Sequence, residues 1–184
     1  MGMVYPRLAQ VGSLGLALAL ALLCGTRAGA SIKSRSELAA IIARSPGLQL
    51  VAEGQELKTA ELMAARLSNA VAYLGIGESM EPLYPSNTAV VVVPIEYDHI
   101  KKGMTVVYVN DEGRRVAHCV VGETHDGFLV QGVSNDEADS EVVTEKNILG
   151  VIIQAYAGAE TGSRHALAVQ LVGKDRRVRK RLPL

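Results

Sequence analysis

At 77–82 the chain reads Gly-Glu-Ser-Met-Glu-Pro, which sets one small hydroxyl, Ser79, among turn-forming residues. Such a serine commonly hydrogen-bonds its own backbone in a turn, and taken alone the hexapeptide reads that way. The alternative is a nucleophile, which needs a base to take its proton and usually a third group to hold that base. His118, in Val116-Ala-His-Cys-Val-Val121, is one candidate base. Strand alternation puts Val116, His118 and Val120 on one face. Its bland reading is a core histidine satisfied by a backbone carbonyl. Farther on, residues 131–139 (Gln-Gly-Val-Ser-Asn-Asp-Glu-Ala-Asp) form a polar loop after a strand, which by itself reads as a surface turn.

Five collinear elements change the weight of these residues when taken together. They are Ser79-Met-Glu-Pro82, the run Ile-Lys-Lys-Gly-Met-Thr-Val-Val-Tyr at 100–108, Val116-Ala-His118, the loop from Gly132 through Asn135 to Asp139, and Ile148-Leu-Gly150. In order and spacing the stretch 77–156 resembles the signal peptidase and LexA-type serine peptidase superfamily. In most bacterial members a lysine serves as general base; in the endoplasmic-reticulum and archaeal branch a histidine does, and His118 makes this chain similar to that branch. The resemblance implies a mainly β peptidase fold with Ser79 as nucleophile, His118 as base and Asp139 holding the imidazole. It also implies an extended peptide or protein substrate pairing along a strand edge, with a small pocket selecting small side chains. No cofactor or metal is implied.

Three positions depart from the family pattern. Cys119 stands where histidine-type members carry arginine. Val133 replaces the first acid of a loop that usually reads Gly-Asp-Asn-Asn. Gly77 cannot offer the hydroxyl that bacterial leader peptidases often aim at the oxyanion, which leaves the Ser79 backbone N–H as the donor. These departures sustain a second reading: a catalytically inactive peptidase-like module that binds peptides or a partner subunit. The pilus-subunit processing enzymes of the same superfamily carry a lysine base, and residue 118 is not lysine.

The elements that must position these residues follow from periodicity. Ser34-Arg-Ser-Glu37 offers a capping box, with Leu38, Ile41 and Ile42 at helical spacing and Pro46-Gly47 as the stop. A second helical pattern over 53–70 places Leu57, Glu61, Ala64 and Leu67 on one stripe. From Val71 the pattern turns to short β runs at 88–93, 104–109, 115–121, 128–132 and 148–156, punctuated by Asn110-Asp-Glu-Gly113 and other turns. The expected organisation is an N-terminal signal peptide or anchor over 1–30, a helical lead-in over 31–70, a peptidase-like β domain over 71–160 and a basic tail over 161–184.

Composition narrows the classes further. The 184 residues are 48% hydrophobic, which is enough for one core. With zero formal net charge, one Phe and no Trp, there is neither the charge nor the stacking surface for nucleic acid. Two cysteines and four histidines without ligand spacing make no disulfide framework and no metal site. Arg7 precedes an apolar run to Cys24, and Ala28-Gly-Ala30 supplies the small-residue ending of a secretory signal, with cleavage before Ser31. The 19 residues between Arg7 and Arg27 also approach the length of a membrane anchor. A lipoprotein site at Cys24 is the weaker third reading, because bulky Leu23 precedes it. All three place the remainder outside the cytoplasm. The tail carries six basic residues against one acid from Lys174 onward, which suits a solvated terminus or contact with an anionic lipid surface.

Overall fold

The structure, a computed structural model, describes residue 41 and residues 44–162. The signal or anchor segment, the capping box at Ser34 and the basic tail from Lys174 lie outside the described residues.

The described chain is mainly β, an antiparallel sheet curled into a half-barrel. Its strands are β1 (Leu48–Val51), β2 (Val71–Leu74), β3 (Ala89–Val93), β4 (Thr105–Val109), β5 (Arg115–Thr124), β6 (Gly127–Gln131), β7 (Val142–Val143) and β8 (Ile148–Gly158); helix α1 (Glu56–Ala64) lies between β1 and β2, and a 3-10 turn (Tyr97–His99) between β3 and β4. The sheet order is β2-β3-β8-β4-β5-β6-β7, and β1 joins β8 in parallel. Long β8 is therefore the hub, bonded to β3, β4 and β1.

The curl has local causes. Register shifts interrupt β3–β8 at Val91/Val92, β4–β8 at Val107/Tyr108 and β5–β6 at Val120/Gly122. Each irregularity bends the strand and increases its twist. The apolar runs of β3 and β4 are continuous because both faces are covered. Along β3, Val90 and Val92 enter a central cluster with Met80, Tyr84 and Cys119, whereas Ala89 and Val91 face Ala60 and Ala64 of α1. Along β4, Val107 joins the central cluster while Val106 and Tyr108 face a third one with Val120 and Val130.

Two expectations about the lead-in are corrected. The helix expected over 53–70 is only Glu56–Ala64, and Leu67 is exposed instead of continuing its stripe. Ala60 and Ala64, one turn apart, are the buried contacts, and their small side chains let the helix lie close on β3. The chain then has to turn toward β2, which it does through Asn69 at φ 59°. The lead-in is also not wholly helical: Leu48-Gln-Leu-Val51 forms β1, because β8 offers it an edge at Ala155–Gly158 that no local pattern announces. Before it, the Ser45 N–H donates to the Ile41 carbonyl at 2.9 Å, a last helical turn ending at Pro46.

Candidate active site

Ser79 sits on a tight turn between β2 and β3. The turn closes through Glu81 N–H to the Glu78 carbonyl at 3.0 Å and Tyr84 N–H to the Met80 carbonyl at 3.0 Å. Met80, Leu83 and Tyr84 are buried in the central cluster and anchor it. The Tyr84 hydroxyl donates to the Pro46 carbonyl at 3.0 Å. Gly77 enters the turn at φ +119°, a conformation that side-chain-bearing residues rarely adopt. The backbone therefore explains why no hydroxyl residue occupies 77.

The polar loop after β6 clamps this turn from the other side. Ser134 N–H donates to the Ser79 carbonyl at 2.9 Å, and the Ser134 hydroxyl donates to the Glu78 carbonyl at 2.8 Å. Buried Gln131 closes the loop by donating its amide to the Asn135 carbonyl at 2.8 Å. Gly132 is needed for the close approach: a Cβ there would lie 2.8 Å from both the Ser79 carbonyl oxygen and Asn135 Nδ2. The Asp139 N–H donates to the Val130 carbonyl at 2.8 Å, returning the loop beside β5.

His118 is opposite Val106 in the β4–β5 ladder and is 7% exposed. Its Nε2 lies 3.0 Å from Ser79 Oγ, and its Nδ1 lies 2.5 Å from Asp139 Oδ2. The three residues drawn from separate parts of the sequence thus meet in one chain of contacts. An ionised carboxylate can only accept, so Nδ1 carries the proton and Nε2 accepts from the Ser79 hydroxyl. The Asp139 side chain is only 16% exposed, which keeps water from competing for that contact. The imidazole finds its partner in a carboxylate, not in a backbone carbonyl.

Tyr108 completes the group; the sequence places it at the end of the matching run 100–108 but gives it no role in the site. Its hydroxyl donates to the same Asp139 Oδ2 at 2.5 Å. Burial first, then the Asp139 contact, pushes the phenol far above its ordinary range, so it remains a donor. The available signal was alternation, since Tyr108 and His118 project from the same face of adjacent strands.

The departures at 119 and 133 point away from the site. Cys119 is fully buried on the opposite face of β5, within 3.4 Å of Thr105 Oγ1. Val133 is 8% exposed and packs in the central cluster. Lys101 and Lys102 are exposed on the approach to β4.

Two depressions flank the serine and the histidine. Ser79 opens on a groove of about 470 Å³ running between 73–77 and 114–117, with Met80, Val107 and Ile152 along it. Arg115 spans it, its guanidinium 5.4 Å from the Tyr73 ring centre. His118 and Asp139 open on a second cleft of about 320 Å³ lined also by Tyr108, Glu112, Arg114 and Glu141. Among the described residues no group of three or more His, Cys, Asp or Glu could hold a metal ion. No helix among them is long and apolar enough to cross a membrane. Comparison with known proteins finds no matching family model and no matching curated protein.

Proposed function

We propose that the protein is a serine endopeptidase of signal-peptidase-like type, in the histidine-base branch of the signal peptidase and LexA-type superfamily, acting outside the cytoplasm. One observation carries this reading: a serine hydroxyl, an imidazole and a carboxylate in line, at 3.0 Å and 2.5 Å. Those are hydrogen-bond distances for a nucleophile, its base and the group that orients the base.

In the proposed cycle Ser79 Oγ attacks a peptide carbonyl while its proton passes to His118 Nε2. Asp139 holds the tautomer and stabilises the imidazolium that forms. The imidazolium then gives the proton to the leaving amine, which departs and leaves an acyl-enzyme. Water, deprotonated by the same nitrogen, attacks the ester; the imidazolium returns that proton to Ser79 Oγ as the C–O bond breaks, releasing the acid and restoring the serine. The Ser79 N–H, which takes no acceptor among the described residues, supplies one donor to the oxyanion. Substrate would lie extended in the groove between 73–77 and 114–117, adding a strand beside the outer edge of β2.

Ser79→Ala is expected to abolish cleavage of peptides carrying small residues before the scissile bond while leaving the circular dichroism spectrum unchanged. Full activity in that variant overturns the proposal. A serine-reactive phosphonate is expected to label Ser79, and absence of label marks a peptide-binding module instead. Cleavage is expected to fall on acidification, because a base that has already taken up a proton cannot accept one from the serine. A rate that does not fall on acidification over the range where the protein stays folded counts against an imidazole base.

A further inference from the structure

We propose that Tyr108 is a positioning residue of this site: its hydroxyl fixes the Asp139 carboxylate and shares the oxygen that accepts the hydrogen bond from His118 Nδ1–H, thereby setting how strongly Asp139 stabilises the imidazolium. The inference rests on the peptidase reading above and adds a fourth residue to it.

The geometry separates this role from packing. Tyr108 is 2% exposed among Val106, Val120, Phe128 and Val130, a surrounding that a phenylalanine would fill equally well. A buried hydroxyl is costly unless it is bonded, and the acceptor of this one is Asp139 Oδ2 at 2.5 Å. The same oxygen is 2.5 Å from His118 Nδ1. Two donors on one oxygen divide its electron density, so each weakens the other's hold. Both donors come from β4 and β5, whereas the acceptor comes from the loop after β6; the tyrosine therefore ties that loop to the sheet. The other charged groups at this cleft are Glu112, Arg114 and Glu141. Glu112 pairs with Arg114, both well exposed, and Glu141 accepts from the Asp111 N–H at 3.0 Å.

Tyr108→Phe removes one oxygen and keeps the ring. Peptide cleavage is expected to lose roughly tenfold in kcat/KM through kcat, with KM within twofold, because the lost restraint on the carboxylate outweighs its tighter hold on the imidazolium. The acid limb of the pH profile is expected to move up, because Asp139 Oδ2 is then no longer shared with the Tyr108 hydroxyl and holds the charged imidazole more strongly. In an Asp139→Asn background the same change is expected to have no further effect. A plateau within twofold of the parent with an unmoved limb overturns the inference, as does an equal loss with and without Asp139. The His118 ring titration followed by NMR in Ser79→Ala protein, with and without Tyr108→Phe, reads the network without turnover. An upward shift there supports the inference even if Ser79→Ala retains cleavage and the peptidase reading fails. If Tyr108→Phe does not fold, the downfield hydroxyl proton of Tyr108 is expected in the parent and absent in Asp139→Asn; its persistence there overturns the inference.

Discussion

His118 and Cys119 are neighbours in the chain and opposites in environment. One faces Ser79 and Asp139; the other is sealed against Thr105 and the central cluster. Burial pushes the Cys119 thiol up to about 11 from an ordinary 9.0, with the Thr105 contact partly offsetting it. The sign follows from linkage. Between these values the folded chain keeps its proton and the unfolded chain releases it. The contribution is therefore fully present below about pH 9 and lost as pH rises through about 11. Urea midpoints measured from pH 8 to 11 are expected to fall more steeply for the parent than for Cys119→Ala, by at most about 3 kcal/mol in stability. Parallel slopes would show that the thiol is not sealed. A substitution at this thiol changes the core and leaves the site's partners in place, so position 119 tunes stability more than chemistry.

At the scale of elements, the site is held by two loops gripping each other, each carried by a strand. The Ser134 contacts fix the Glu78 and Ser79 carbonyls, and glycine at 132 allows the approach. Gly132→Ala would put a methyl into the Ser79 carbonyl and force the turn away from β5. A displacement near 1 Å costs catalysis on the order of a hundredfold. On the proposed peptidase reading, Gly132→Ala is therefore expected to lose about that factor in kcat/KM, while the melting temperature drops by only a few degrees. Activity within twofold of the parent would show that the loop absorbs the methyl without moving Ser79. The sequence marks this loop by its glycine and polar run, but not its grip on residue 79, because a contact across more than fifty positions leaves no periodic trace.

For the whole molecule, β8 decides. It bonds to β3, β4 and β1, so damage there spreads through the sheet that carries both Ser79 and His118. Its most constrained point is Gly150, at φ +151°, where an added Cβ would collide with the Val93 carbonyl. Gly150→Ala is expected to destabilise the fold by about 3 kcal/mol or more, seen as a lower denaturant midpoint with an unchanged slope. A midpoint equal to the parent's would mean that β3 and β8 separate freely at this register.

Much of this was legible in the residues themselves. Apolar runs between turn formers located β3, β4, β5, β6 and β8, because strand formation over five to eleven residues depends on local side-chain character. Period-two alternation put His118 with Val116 and Val120, since neighbouring strand side chains must point to opposite faces. The order of Ser79, His118 and Asp139 was visible too. Their meeting was decided by tertiary structure, through the pairing of β4 with β5 and the return of the loop after β6. So were β1, which needs β8 to exist, and the early end of α1, where the route to β2 overrode a helical stripe. Tyr108 shows the difference most plainly: its strand could be read from sequence, but its bond to Asp139 required a loop folded back over it.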